Sequence, residues 1–221
     1  MNPELARFNM VEQQIRTWDV LDTQILDLLF TVKREEFVPA AYRSLAFADL
    51  EIPLSDARTP GQKMWPPKLE ARVVQELHVQ PTDEVLEICT GSGYLTALLA
   101  HRAQRVTSVE IDPALAAAAR AQLAAHGITN AQVEVGDGAR GWRPGQLFDV
   151  IVLTGSTPVL PGGLVDQLKP GGRLFAVVGT EPAMHGRIVI RGESGQPVSR
   201  DLFETVLAPL VNATQPERFV F

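Results

Sequence analysis

The sequence predicts an α/β protein: a doubly wound, mostly parallel sheet with a carboxy-terminal antiparallel hairpin and an amino-terminal helical extension. Three observations carry this. Five short apolar segments, Glu84–Ile88, Arg105–Glu110, Ala131–Val135, Val150–Leu153 and Arg173–Val178, are each bounded by turn residues, and helical stretches separate most of them. The first runs into a glycine turn, Gly91-Ser92-Gly93, that opens a helix. Past Gly179 the alternation stops, and strand candidates at Arg187–Arg191 and about Asp201–Leu207 flank the polar turn Glu193-Ser194-Gly195-Gln196-Pro197, which reads as a closing hairpin.

The remaining elements follow in chain order. From Asn2 to about Ala48 the pattern is helical, with Leu21, Ile25, Leu28 and Leu29 at helical spacing and Asp22 near the start of that run. Between Leu50 and Pro67, Pro53, Pro60, Gly61, Pro66 and Pro67 are too many breakers for a regular element, so this stretch is expected to be a loop. Lys68 to Leu77 follows as a short helix. Asp112 is a natural N-cap, Pro113 suits the first turn, alanines carry the helix to Ala125, and Gly127 closes it.

Composition narrows the function. The 221 residues are 45% apolar and 21% charged, a globular mixture that excludes a disordered tail or a coiled coil. No apolar run reaches the roughly 20 residues that span a bilayer, and the polar amino end does not resemble a secretory leader, so neither membrane insertion nor secretion is expected. The net charge of −6 argues against a nucleic-acid partner. A single cysteine, Cys89, excludes an internal disulfide framework and fits the cytoplasm. His78, His101, His126 and His185 lack metal-ligand spacing, and no Gly-x-Ser-x-Gly elbow is present, so neither a metal site nor a serine hydrolase is indicated.

The chemistry concentrates at three successive strand ends. Glycines after Ile88 allow a sharp turn and close approach of a ligand to backbone. Glu110 ends the next strand about 20 residues on, where a carboxylate can accept both hydroxyls of an adenosine ribose. Asp137-Gly138 ends the third, placed to meet an adenine ring. Thr96 stands where a pyrophosphate-binding turn would carry its third glycine, and Glu87 at the strand end opposes a phosphate but suits a cationic amino acid moiety. The charge pattern therefore favours S-adenosyl-L-methionine over a nicotinamide dinucleotide.

These residues, with Phe148-Asp149-Val150-Ile151-Val152 and Leu168-Lys169-Pro170-Gly171-Gly172-Arg173-Leu174, resemble the successive motifs of class I S-adenosylmethionine-dependent methyltransferases, which have a Rossmann-like fold. Met10-Val11-Glu12-Gln13-Gln14-Ile15-Arg16, Lys33-Arg34-Glu35-Glu36-Phe37-Val38-Pro39, Leu45-Ala46-Phe47-Ala48-Asp49 and Gly141-Trp142 resemble the protein-L-isoaspartate O-methyltransferase family in particular, and the similarity runs from about Arg7 to Leu210. The resemblance implies one domain over residues 1–221: an extension and substrate loop over 1–67, a cofactor-binding core over 68–210 and a tail over 211–221. It implies that Glu87, Gly91 and Gly93 line the methionine part of the cofactor, that Glu110 takes the ribose, that Asp137 and Gly138 meet the adenine, and that Cys89, Thr90, Ser92 and Ile111 complete the contact set. The implied acceptor is a carboxylate of an abnormal aspartyl residue in a peptide or protein.

Two positions depart from the family pattern. Cys89 stands where the family usually has glycine, and cofactor contact is expected to survive if the thiol points away. Trp65 stands where the family's serine helps hold the substrate carboxyl, in Gln62-Lys63-Met64-Trp65-Pro66-Pro67, so substrate recognition is expected to differ there. Trp65 either packs under the loop or offers a flat apolar face to another acceptor, which leaves a paralogous methyltransferase or a non-catalytic cofactor-binding module as alternatives. The hydroxyls of Thr59, Ser156 and Thr157 are the candidates for acceptor contact, although loop Ser and Thr more often bond local backbone.

Overall fold

A computed structural model describes residues 2–55, 62–192 and 195–216. The amino-terminal extension is helical in pieces rather than continuously: α1 (Pro3–Met10) runs into a wide turn and a tight one, followed by α2 (Thr23–Thr31) and α3 (Arg34–Phe37). Asp19 adopts a left-handed conformation (φ 59°) that breaks the run before α2. The Asp22 side chain then accepts the Gln24 N–H and starts the helix after itself. Leu21 therefore lies outside the helix and is 66% exposed, so its helical spacing with Ile25 is incidental.

Within the expected loop, β1 (Ile52–Pro53) and β2 (Lys63–Met64) form a short antiparallel pair. α4 (Pro67–Leu77) leads into the main sheet: β3 (Glu84–Ile88), β4 (Arg105–Glu110), β5 (Ala131–Val135), β6 (Phe148–Thr157), β7 (Leu168–Thr180), β8 (Ala183–Arg191) and β9 (Pro197–Glu204). α5 (Tyr94–Ala100), α6 (Pro113–Ala125) and α7 (Gly162–Asp166) connect them. The strand order is β5-β4-β3-β6-β7-β8-β9; the pairs from β5 to β7 are parallel, and β8 and β9 are antiparallel additions.

Four strands differ from their expected bounds; β8 begins at Ala183 rather than Arg187, because its antiparallel ladder with β7 continues to the Thr180–Ala183 pair. β6 and β7 are longer because pairing resumes on both sides of a register shift, Phe148 with Leu168 and then Val150 with Arg173, spanning the Lys-Pro-Gly-Gly stretch that reads as a break. β9 begins at Pro197 and ends at Glu204, not around Leu207. Among the described residues it is an edge strand that pairs with β8 alone, so a proline can open it without losing a ladder bond.

Alternate residues of the central strands supply two cores. Val85, Val150, Val152, Phe175 and Val177 face one layer, which α4, α5 and α6 cover, while Leu86, Ile88, Ile151, Leu153 and Leu174 face the other, against α7 and Leu210. Arg34, fully buried, ties the extension to this body. Its Nε donates to the Ala46 carbonyl (3.0 Å), its Nη2 donates to the Trp65 carbonyl (2.5 Å), and its Nη1 pairs with the Glu70 carboxylate. Among the described residues no helix is long and apolar enough to cross a membrane.

Candidate functional site

The chain leaves β3 for the sheet half that holds β4 and β5, then returns to add β6 on the opposite side of β3. Such a switch point opens a crevice beyond the carboxyl ends of the strands. The turn at its base packs three left-handed residues into five: Cys89 (φ 78°), Gly91 (φ 56°) and Gly93 (φ 80°). The Cys89 N–H donates to the Val109 carbonyl (2.7 Å), and Gly93 caps α5.

Glu110 fastens this turn to the next strand end. Its Oε2 accepts the Gly91 N–H (2.9 Å) and its Oε1 accepts the Asp112 N–H (3.0 Å), so the buried carboxylate is fixed at the cavity wall. At the end of β5, Asp137 accepts the Ala139 N–H (3.0 Å) on Oδ1 and the Asn212 side-chain amide (2.8 Å) on Oδ2. Gly138 is needed for space, because a Cβ there would sit 2.5 Å from Ile88 Cδ1.

These groups enclose a cavity of about 160 Å³ walled by Glu110, Ile111, Asp137 and Gly138 on the strand-end side and by Leu54 and Trp65 opposite. A smaller compartment of about 40 Å³ adjoins it, reached by Glu70, Glu87, Thr90 and Ser92. Lys63, Trp65, Cys89, Gly91 and Thr154 line both. The three acids expected at one crevice thus divide between two connected spaces: Glu110 and Asp137 in the larger, Glu87 in the smaller.

Glu87 is fully buried. Its Oε2 accepts the hydroxyls of Thr96 (2.5 Å) and Ser108 (2.6 Å), while Oε1 has no partner. Burial pushes its carboxyl up to about 7, against the pull of those two hydroxyls. A carboxylate oxygen left unpartnered beside a cavity suits a cationic ligand group, which would restore the charge that burial disfavours. The paired acids, the glycine turn and the apolar walls therefore fit a ligand with an adenosyl end and a cationic end.

Several expected residues are placed differently. Gly93 lines neither compartment; its lack of a side chain serves the turn and the approach of α6, since a Cβ would lie 3.4 Å from that of Ala119. Thr90 spends its hydroxyl on Ser108 (2.5 Å), and the Ser92 hydroxyl accepts the Tyr94 N–H (3.2 Å). Cys89 is a wall residue of both compartments. Burial, with Glu110 nearby, pushes its thiol up to about 12, so it stays protonated. Because an L side chain is strained at φ 78°, Cys89→Gly is expected to stabilise the protein by about 0.5–1 kcal/mol in urea denaturation.

Two of the hydroxyl candidates are placed away from the cavity. Ser156 is buried, and it anchors the segment 207–210 as a strap over the cavity. Its N–H donates to the Ala208 carbonyl, its carbonyl accepts the Leu210 N–H, and its Oγ donates to the Leu207 carbonyl, all at 2.9 Å. Thr157 is buried and donates to the Val159 carbonyl (2.7 Å). Neither lines the cavity: the Thr157 hydroxyl is consumed by local backbone, and that of Ser156 by the backbone of the segment 207–210. Thr59 lies outside the described residues. Trp65 packs under the loop, 6% exposed and edge-on to Phe175 with ring centroids 6.4 Å apart, yet it also forms part of the cavity wall.

Leu54, Lys63 and Thr154 lie in the two segments from which acceptor contacts are expected, the loop from Leu54 to Pro67 and Thr154-Gly155-Ser156-Thr157, whereas the strap was not apparent from the sequence. Thr154 donates its hydroxyl to the Ile88 carbonyl (2.9 Å), holding the floor of the crevice. Nothing local marks the strap, which joins the site only because Ser156 captures it.

Comparisons with known proteins give one answer. The family model described as protein-L-isoaspartate(D-aspartate) O-methyltransferase (PCMT) matches residues 6–215. A protein-L-isoaspartate O-methyltransferase of Methanoculleus marisnigri is 42% identical over 173 residues, covering 78% of this chain and 77% of the relative. One from Koribacter versatilis is 36% identical over 207 residues, covering 94% and 91%. A solved protein-L-isoaspartate O-methyltransferase superposes with a TM-score of 0.80 at 23% identity, over 95% of this chain and 66% of its own. A Plasmodium falciparum protein described as such an enzyme, solved with S-adenosyl-L-homocysteine, gives 0.75 at 17% identity over 92% and 97%.

Proposed function

The chain belongs to the protein-L-isoaspartate(D-aspartate) O-methyltransferase family, and we propose that it esterifies the carboxylate of isoaspartyl or D-aspartyl residues in peptides and proteins, using the strand-end cavity as the cofactor site. The observation that carries the reading is the set of acids on consecutive strands around connected spaces, one of them, Glu87, buried with an unpartnered oxygen. S-adenosylmethionine supplies the methyl group on a positively charged sulfur.

The protein's part is positioning. Glu110 offers its fixed carboxylate to the ribose hydroxyls, and Asp137 with Gly138 borders the adenine. Gly91 allows close approach of the chain, and Glu87 faces the amino acid end. A carboxylate acceptor has an ordinary pKa of about 3.9 and is ionised at neutral pH, so no side chain has to remove a proton from it. Alignment of the reacting atoms, with water excluded by Leu54, Trp65 and the strap, is what the chain contributes to rate. The protonated thiol of Cys89 takes no chemical part.

Incubation with an isoaspartyl peptide and methyl-labelled cofactor tests the assignment. A base-labile methyl ester is expected. Its absence at high enzyme concentration, with S-adenosylhomocysteine still bound, would reject the isoaspartyl acceptor and favour one that lays an apolar face on Trp65.

Glu87 gives a pH prediction. Raised from 4.5 to about 7, its carboxyl binds a proton in the folded state that the unfolded chain has already lost, so its contribution to stability is full below about pH 4.5 and is lost as pH rises through 7. A cationic ligand group requires the ionised form. Affinity for S-adenosylhomocysteine is therefore expected to rise about tenfold from pH 6 to pH 8, following the ionised fraction, and Glu87→Gln is expected to flatten that profile in calorimetry.

A further inference from the structure

The walls of the two compartments are lopsided in charge. Glu51, Glu110 and Asp137 border the larger and Glu70 and Glu87 the smaller, and Lys63 is the one cation among the described residues that line either. A positively charged ligand is served by this arrangement, whereas an anion entering from solvent is repelled by it.

Lys63 stands where such an anion would arrive. It pairs with Pro53 across β1–β2, so that Met64 turns inward, 3% exposed, while Lys63 stays at the rim with its side chain 44% exposed. It borders both compartments, and its Nζ already holds a carboxylate, that of Glu51, at 2.6 Å. The Glu51 side chain is itself 28% exposed, so the pair can exchange partners without unpacking the core.

We infer that Lys63 is a specificity-determining residue that receives the carboxylate of the methyl acceptor at the cavity mouth, with Glu51 as its resting partner. The inference rests on the reading of the acceptor as an isoaspartyl carboxylate. A ligand seated deep beside Glu87 and Glu110 is in place before the acceptor reaches the rim, so the rim charge acts on the acceptor. The tryptophan at position 65 has no charge to offer, and Lys63, two residues earlier in β2, supplies it.

The test compares wild type, Lys63→Met, Lys63→Arg and Glu51→Gln in steady-state methylation of an isoaspartyl peptide, with S-adenosylhomocysteine binding measured in parallel. Lys63→Met is expected to raise KM for the peptide about tenfold, the loss of one ion pair, and to leave kcat and S-adenosylhomocysteine affinity within about twofold. Lys63→Arg is expected to restore KM to within about threefold, and Glu51→Gln to lower it. Added salt is expected to raise the wild-type KM but not that of Lys63→Met, a response that a merely structural lysine would not give. An unchanged KM in Lys63→Met with an active wild type overturns the inference and leaves the activity standing. A matching loss of S-adenosylhomocysteine affinity also overturns it, because the lysine would then serve the cofactor. A wild type that forms no ester overturns the activity reading, and the inference with it.

Discussion

Glu110→Gln is expected to raise the Kd for S-adenosylmethionine about 100-fold while the protein stays folded. The carboxylate has two functions that an amide cannot perform together. Each oxygen accepts a backbone N–H, from Gly91 at 2.9 Å and from Asp112 at 3.0 Å, so an amide must turn its NH₂ toward one of these donors and leave it unpaired. The remaining lone pairs of a carboxylate are those offered to the ribose, where hydrogen bonds to a charged group contribute about 1.5–3 kcal/mol each. Losing about 3 kcal/mol corresponds to a factor of about 100. Calorimetric titration checks the number and circular dichroism checks the fold. A change under threefold would show that the ribose is held elsewhere.

Arg34→Met is expected to destabilise the protein by about 3–5 kcal/mol, the usual cost of leaving one member of a buried ion pair behind. Arg34 satisfies the Ala46 and Trp65 carbonyls as well as the Glu70 carboxylate, so its removal strands acceptors on three segments at once. Burial pushes the Glu70 carboxyl up while the guanidinium pulls it down. Burial prevails, raising the carboxyl from 4.5 to about 8, and without Arg34 nothing opposes it, so Glu70 holds its proton to higher pH still. A carboxyl raised in the folded state loses stability as pH rises up to its folded value, so the deficit of Arg34→Met should be alike at pH 5.5 and pH 7 and larger at pH 9 in urea denaturation. The double variant Arg34→Met/Glu70→Leu should recover much of the loss, because no charge is then buried alone. Recovery would separate the electrostatic cost from a packing defect around Trp65.

Both effects concern residues that differ in how visible they were. Glu110 was legible because its role is local: a strand end, a glycine turn about 20 residues earlier and a capped helix two residues later form one continuous pattern. The bounds of β3, β4, β5 and α6 were legible for the same reason, since periodicity and capping act within a few residues. The rest depended on partners far along the chain. Ser156 could be seen as a hydroxyl after a strand, but its bond to the Leu207 carbonyl joins positions 51 residues apart. Arg34 was a letter in a family-like segment, and its burial against Glu70 and Trp65 spans 36 and 31 residues.

The sequence by itself determined the alternation of strands and helices, the turn that admits a ligand, the acids that face it and the family to which the chain is similar, because propensity, capping and charge are properties of short stretches. Only the tertiary structure decided that Glu87 keeps one oxygen without a partner, that Cys89 forms cavity wall, that Ser156 fastens a strap and that Lys63 is the lone cation among the described residues of that wall. Each of these depends on which distant groups share a desolvated space, where burial fixes both the charge state of a side chain and the number of its partners.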